Sequence, residues 1–310
     1  MGSNQTYIEK ADLAVSDLTT GGGLLVPEQA KKFFEIAIEE STLLQLVTTP
    51  TMTSPTWELP KANFAGRVLR RATESAALPV ADRAKPDLSK VQIVTTEFIA
   101  EARIPYAVVE DNIENGTFPQ TVLGLLGKRV AADMETLVIM GDTLSADPFL
   151  ASFDGILKKA TSNVVNAGGV RLSKSTLKTM LQTMPVPFRK GMTAFLTSTN
   201  AVIDYIDSLS NRQTLLGDDA LAKKSAAEYM GLGIVPVQLF PETLGSGNKT
   251  NVLLLDPKNI HVGMHRDVRI ETGRDISARQ FIVVATVRFG FNYAHEPAIV
   301  KATEVLAEAG

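Results

Sequence analysis

Few residues in this chain have the types and spacing for chemistry. His261 and His265 stand four apart, the spacing at which two imidazoles on one helix turn can share a metal ion. Their context, Val262-Gly263-Met264, is that of a strand, where the two side chains would be roughly 13 Å apart, and no Glu lies between them. No metal site is expected. The fragment Gly245-Ser246-Gly247-Asn248-Lys249-Thr250 resembles the end of a phosphate loop, but it lacks the Gly-Lys pair and the four-residue spacing that place backbone amides around a phosphate. Gly21-Gly22-Gly23 follows no strand and opens no βαβ unit, so it is not a dinucleotide fingerprint. No Gly-x-Ser-x-Gly elbow offers a nucleophile. Arg266, Arg269, Arg274, Arg279 and Arg288 thicken positive charge near the C-terminus, but Asp267, Glu271 and Asp275 nearly cancel it. Those arginines are expected to make local or inter-subunit ion pairs. No catalytic constellation survives, so neither an enzyme nor a cofactor is expected.

Composition narrows the class. Of the 310 residues, 45% are hydrophobic and 21% charged, enough apolar content for a large core in one elaborate domain or two. Lys and Arg number 31 against 34 Asp and Glu, a net charge of −3, which argues against strong nonspecific binding to DNA or anionic membranes. Without cysteine there are neither disulfides nor thiolate metal sites. The N-terminus has no basic segment followed by an apolar run, and no stretch is long and apolar enough to cross a bilayer, so a soluble, intracellularly made protein is expected.

One long helix organises the rest. From Thr117-Phe118-Pro119-Gln120 to Met140-Gly141, Leu123, Leu126, Val130, Met134 and Leu137 recur at three- and four-residue steps and line one face. Thr117 and Gln120 have capping-box spacing, Pro119 falls in the first turn, and Gly141 is expected to cap the C-terminus. Arg129 and Asp133 are placed to pair across one turn. The rod would be roughly 30–35 Å long, about a domain diameter.

Before the helix, residues 1–27 read as an arm tethered by the triple glycine, with Leu13, Val15, Leu18, Leu24, Leu25 and Val26 as apolar contacts. Pro27 opens a short helix, and Thr56-Trp57-Glu58-Leu59-Pro60 is a strand. A polar tip around Asp82-Arg83-Ala84-Lys85-Pro86-Asp87 leads into one long alternating strand from Val91 to Arg103. Both of its faces carry polar groups, so neither reads as a core face. A ribbon of that kind is unstable alone in water, and the economical reading is that it lies on another molecule. After Ile104-Pro105-Tyr106 a short acidic helix is expected to end near Asn112. Beyond the long helix, Ser173 caps a helix stopped by Pro185. Ala194–Thr197 is a buried strand, and Ser198 or Thr199 caps a helix with Val202, Ile203, Ile206 and Leu209 inward. Tyr229–Val237 is turn then strand, and Val252–Leu255 is a buried strand. The last third is β, at 260–264, 268–270, 280–293 and 298–300.

The order of these elements carries a resemblance. Gly22-Gly23-Leu24-Leu25-Val26-Pro27-Glu28 ends a loose arm, and a long charged hairpin follows. Then come Ile104-Pro105-Tyr106, Val109-Glu110-Asp111, the long helix ending Met140-Gly141-Asp142, and the closing run Arg288-Phe289-Gly290-Phe291 to Pro297-Ala298-Ile299-Val300-Lys301. This is similar to a tailed-bacteriophage major capsid protein of the α+β Hong Kong 97-like fold, over nearly the whole chain.

The resemblance implies an N-terminal arm at 1–35, a linker helix and strand at 36–57, and an extended loop at 58–104. It implies a peripheral domain at 105–150 and 258–292, and an axial domain at 151–257 and 293–310. It further implies hexamers and pentamers in an icosahedral virion shell, made in the bacterial host cytoplasm and enclosing double-stranded DNA that it touches weakly. Portal and scaffolding proteins are the implied partners, with a cement protein in some relatives, and no membrane. Arg70, Arg71, Arg83, Lys85, Glu97, Glu101 and Arg103 are the implied inter-subunit contacts. Some relatives link a lysine of the extended loop to an asparagine, helped by a glutamate. Here those two places are Gln280 and Val287, so Lys85 and Lys90 are expected to make no covalent bond. Many relatives carry an N-terminal scaffolding region removed by a protease; the expectation here is that such a region has been removed or that a separate scaffolding protein serves. The alternatives are an encapsulin-type compartment shell and, from a different class, a soluble enzyme.

Overall fold

The computed structural model describes residues 42–64, 67–69, 71, 77, 79–80, 83–105, 118–189, 193–210, 227–245 and 247–307. The arm, the helix from Pro27, the acidic helix before Asn112, the Thr117 cap and Arg70 lie outside them.

The long helix runs Phe118–Met140 (α2), preceded by a single turn, Thr42–Leu46 (α1). From Leu126 on its stripe is as read: Val130, Met134 and Leu137 are buried and Leu126 is partly so, while the Leu123 side chain lies outside those described. Ala131, Val138 and Ile139 are buried as well, which widens the apolar face. Arg129 and Asp133 pair at 2.9 Å.

The glycine at the helix end acts differently from expectation. Gly141 does not take the left-handed conformation. A Cβ there would lie 2.3 Å from the Phe153 carbonyl oxygen, so its role is close approach. The chain returns against the helix end, and the Gly155 N–H donates to the Gly141 carbonyl at 2.8 Å.

Under α2 lies a three-stranded antiparallel sheet in the order β3-β10-β9, formed by Thr96–Pro105 (β3), Gln280–Tyr293 (β10) and Ile260–Asp275 (β9). β9 is continuous where two shorter strands were expected. The central strand β10 buries every second residue from Phe281 to Tyr293, because one face packs on α2 and the other meets solvent.

The second lobe is a six-stranded sheet, β4-β11-β8-β5-β7-β6. Its strands are Val164–Asn166 (β4), Ala194–Thr197 (β5), Glu228–Tyr229 (β6), Leu232–Pro236 (β7), Lys249–Leu255 (β8) and Val300–Leu306 (β11). Ile156–Lys159 (α3) joins the lobes, and Lys174–Thr183 (α4) and Thr199–Ser210 (α5) cover one face of the sheet. β8 is the wall between two cores. Leu253 and Leu255 face the α2 core, whereas Val252 and Leu254 face the α4 and α5 side. A strand buried on both faces reads as an unbroken apolar run, which is why Val252–Leu255 was recognisable. Met230 and Gly231, both with positive φ, form the two-residue turn between β6 and β7. On α5, Ser198 caps as expected, but Ile203 points outward and Tyr205 takes the buried place.

The main departure concerns the expected strand from Val91 to Arg103. It breaks at Thr95 into two strands of different sheets. Pro86–Val94 (β2) pairs with Thr56–Phe64 (β1) as an isolated ribbon, and β3 joins the sheet under α2. At the break, the Thr95 N–H and hydroxyl both donate to the Pro55 carbonyl, at 3.0 and 2.9 Å. The second half does have a core face: Phe98, Ala100, Ala102 and Ile104 turn inward and their neighbours outward.

Candidate inter-subunit surface

The ribbon is held at its root and bare beyond it. Its register runs from Thr56 opposite Val94 at the root to Phe64 opposite Pro86 at the outer end. Ile93 is fully buried at the root. Trp57, opposite it, packs its ring 5.9 Å from that of His261, and Asn292 donates to the Gln92 carbonyl at 2.8 Å. Burial pulls the His261 imidazole below its ordinary pKa. Burial likewise lowers Lys61. His295 is lowered by its own burial and then by the Lys61 charge.

Farther out the apolar side chains have no cover among the described residues. Leu88 is 74% exposed and Phe64 52%; beyond the strand end, Leu69 is 90% exposed. Arg71, Arg83 and Lys85, in the segment between the two strands, are exposed as well. A two-stranded ribbon with both faces wet buries too little to account for its own stability.

The second surface is the outer face of β3-β10-β9. Strand register sets its rows: Glu97, Arg288 and Arg266 share one, Ile99, Thr286 and Arg269 the next, then Glu101, Val284 and Glu271. Glu97 receives a hydrogen bond from Arg266 at 3.0 Å, and the Arg288 Nε lies 3.2 Å away, in ionic contact but misaligned for a hydrogen bond. Arg103 donates to Glu101. Of the residues read as contacts, then, Glu97, Glu101 and Arg103 lie together on this face, while Arg71, Arg83 and Lys85 belong to the segment that connects β1 to β2. The chain does not bring the two groups together.

Between this sheet and α2 is an apolar cleft of about 110 Å³, lined by Phe98, Ile99, Val130, Met134, Phe149 and Phe289 with Asp133 at its edge. Phe98 sits 4.9 Å from Phe289 and 6.4 Å from both Phe149 and Phe153. The alternation of Phe98 with Ala100 and Ala102 was its visible trace in the sequence. Glu135 was missed altogether. It is 1% exposed on α2 and accepts the Leu43 N–H at 3.2 Å, tying α1 to the long helix. Burial raises its pKa, and the backbone bonds from Leu43 and Leu44 oppose that.

His261 and His265 both lie on β9, and among the described residues no group of three His, Asp or Glu is placed to hold a metal ion. Of the two residues expected at the linking positions, Val287 is buried on β10 and Gln280 is partly exposed at its start. No described helix is long and apolar enough to cross a membrane.

Comparison with known proteins gives a consistent result. The sequence profile of the phage capsid family matches residues 21–303. The putative prophage capsid protein YqbE of Bacillus subtilis (strain 168) is 34% identical over 309 residues, covering 97% of this chain and 99% of that protein. Among solved structures, the capsid of a native GTA particle superposes with a TM-score of 0.66 at 14% identity, covering 96% of both chains. The satellite phage P4 procapsid gives 0.65 at 12%, covering 97% of this chain and 95% of that one. The SrpI encapsulin of Synechococcus elongatus PCC 7942 shares the fold at 0.58 and 10%, over 100% and 98%.

Proposed function

The chain belongs to the phage capsid family, and on that premise we propose that it closes, as hexamers and pentamers, the icosahedral head that encloses a tailed phage's double-stranded DNA. The observation that carries the reading is the β1–β2 ribbon, whose outer apolar residues are uncovered by any described part of the chain. A neighbouring subunit supplies the missing partner, and the sheet face with Glu97, Glu101 and Arg103 receives it. In this reading the extended loop is the ribbon and its tip, the α2 sheet forms the peripheral domain, and the six-stranded sheet forms the axial domain. The subunit acts by packing, not by catalysis. With Gln280 and Val287 where a cross-linking relative has asparagine and glutamate, its lattice is noncovalent. Portal and scaffolding proteins are its assembly partners, a cement protein its possible decoration, and its place is the virion, after synthesis in the bacterial host cytoplasm. An encapsulin shares the fold, but the sequence relatives are capsid proteins of phage and prophage.

The test replaces residues 65–85 with a two-residue turn, leaving the nine β1–β2 pairs intact. Purified full-length chain is expected to form rings, sheets or shells by negative-stain microscopy. The shortened chain is expected to stay a folded small species by light scattering. Shells from the shortened chain, or a monodisperse monomer from the full one, would sink the reading.

A further inference from the structure

The chain has three histidines, and two of them lie under the inner half of the β1–β2 ribbon. On β1, half-buried Trp57, Leu59 and Lys61 alternate with exposed Glu58, Pro60 and Ala62, so one face of the strand rests on its own subunit. Trp57 meets the His261 ring at 5.9 Å between centroids. Four residues on, roughly 13 Å along the strand, the Lys61 charge acts on His295. The His295 ring also packs 4.9 Å from that of Phe188 in the second lobe. Its backbone is fixed on both sides: the N–H donates to Asn259 Oδ1 at 2.7 Å, and the carbonyl accepts from Asn259 Nδ2 at 2.9 Å. The ribbon joins the body through Pro55 and Thr95, which are tied together by the two hydrogen bonds at the break. Both exits therefore form one hinge.

A proton added to either ring is poorly accommodated while the ribbon is down. The His261 Nδ1 is buried without a hydrogen-bond partner among the described residues. Its neighbours are uncharged: Trp57 from β1, Asn292 opposite it on β10, and Thr48 at the other edge of β9. At His295, burial and then Lys61 disfavour the imidazolium, and Glu296 only partly offsets them. Glu296 is already engaged by the Thr161 and Ser162 N–H groups, at 2.8 Å each. Arg189, next to Phe188, is turned to the carbonyls of Gln182 and Met184. The ribbon's other paired charges, Glu58 and Lys90, meet each other at 2.7 Å on its outer face. Cation–π attraction to Trp57 works the other way at His261, so His295, beside a like charge, is the stronger of the two. Both imidazoles sit below their ordinary 6.5 while the ribbon is down. Docking is therefore fully present above 6.5 and weakens as pH falls through the lowered values.

We propose that His261 and His295 form a pH-sensitive clasp that holds the ribbon against its own subunit in neutral solution and slackens in mild acid. The clasp lies within one chain and does not rest on the shell reading. Within a shell, it makes the angle at which the ribbon is offered to a neighbour respond to acidity.

Trp57 is the sole tryptophan and reports its own cover. Purified wild-type chain is titrated from pH 7.5 to 5, at a concentration where light scattering shows no assembly. The emission maximum, quenching by acrylamide and amide exchange of β1 and β2 are followed. Wavelength and acrylamide access are read in place of intensity, because an imidazolium quenches a touching indole directly. A lifted two-stranded ribbon is unstable in water, so its amides exchange faster. The expected result is a red shift, wider acrylamide access, and ribbon exchange that rises, after correction for its intrinsic pH dependence, by up to about tenfold per pH unit for each histidine. Amides of β5 and β8 should not change. The His261→Gln, His295→Gln double variant should give a flat titration. Lys61→Met keeps the apolar stem, removes the charge and should flatten the response in part. His265→Gln, at the third histidine, should behave as wild type. A flat wild-type titration, a full response in the double variant, or a response lost with His265→Gln would overturn the clasp. Should the double variant misfold, Lys61→Met decides, and an undiminished response there overturns the clasp too. Any of these failures leaves the shell reading standing, whereas a wild-type chain that never assembles removes the shell reading alone.

Discussion

Substituting Gly290 by alanine tests how the ribbon is aimed. Gly290 lies on β10 where the link between β2 and β3 crosses. A Cβ there would sit 2.1 Å from the Val94 carbonyl oxygen, 2.9 Å from its carbon and 3.2 Å from the Thr95 Cα. All three are backbone atoms, and Thr95 is pinned to Pro55 by two hydrogen bonds, so no side chain can rotate away. Real Cβ atoms essentially never approach closer than 3.0 Å, so the crossing must open by 3.0 − 2.1 = 0.9 Å. With the Trp57–Ile93 pair as fulcrum, roughly 5 Å from the crossing, the ribbon tilts by about 10° and its outer end, about 26 Å away, moves about 4–5 Å. Overpacking of this kind costs about 1–3 kcal/mol, or several degrees in melting temperature for a domain of this size. Scanning calorimetry of the unassembled subunit and sedimentation of assembly reactions read the two effects separately. Gly290→Ala should lower the melting temperature by several degrees and reduce assembly far more than that loss alone implies. Gly263→Ala is the control, because its Cβ meets the Met52 sulfur, at 2.3 Å, near the end of a flexible side chain. It should cost less. A Gly290→Ala protein with wild-type melting temperature and assembly would show that the crossing does not aim the ribbon.

Three further outcomes follow from the same geometry. The raised pKa of Glu135 means that the folded subunit holds this proton more tightly than the unfolded chain. The associated stability is full below the ordinary carboxylate value of 4.5 and is lost as pH rises through the raised value. Relative to Glu135→Gln, which does not titrate, the wild-type subunit should therefore gain stability in urea unfolding as pH falls from 7 to 4; a flat or opposite trend would contradict the assignment. Tyr293 donates its hydroxyl to the Ile156 carbonyl at 2.8 Å, and burial, then Glu296, hold its pKa above the ordinary tyrosine value. Tyr293→Phe should cost about 1–3 kcal/mol, equally across pH 6–9 in the same unfolding assay. On the proposed reading, which puts Gln280 and Val287 at the two linking positions, mature particles boiled in detergent should run as a single monomer band, and a ladder there would refute the noncovalent lattice.

How much of this was legible in the sequence depended on whether the signal was local. The α2 stripe and the β8 run were readable because periodicity records burial wherever the partner comes from. Gly141 was visible as punctuation, but its reason was not. The close approach of Phe153 depends on a loop that returns to the helix end, and sequence spacing cannot show that return. Glu135 was hidden because one carboxylate among Asp133 and Glu135 on a helix looks solvated until α1 is known to sit over it. The alternation of Val91–Arg103 is unbroken, so nothing in it marks Thr95, where the chain leaves one sheet for another. The break is set by Pro55 and Gly290, residues 40 and 195 positions away.

The same limit decides what Glu97 does. Its arginine partners, Arg266 and Arg288, lie 169 and 191 residues along the chain and become neighbours only because β10 sits between β3 and β9. Exposed pairs of this kind contribute about 0–1 kcal/mol to a subunit, too little to be why a folded monomer would need them. Spread across the rows of one sheet face, however, they leave Arg269 and Glu271 presented side by side at fixed spacing, with half-buried Thr286 and Val284 between the flanking strands. A patterned charge face of that sort discriminates between registers more than it adds affinity. The apolar end of the ribbon has the opposite character, adhesive but unspecific. On the proposed shell reading the two meet on different copies, with charge setting the register and apolar burial holding it. This division predicts that high salt loosens the fidelity of assembly before it abolishes assembly itself.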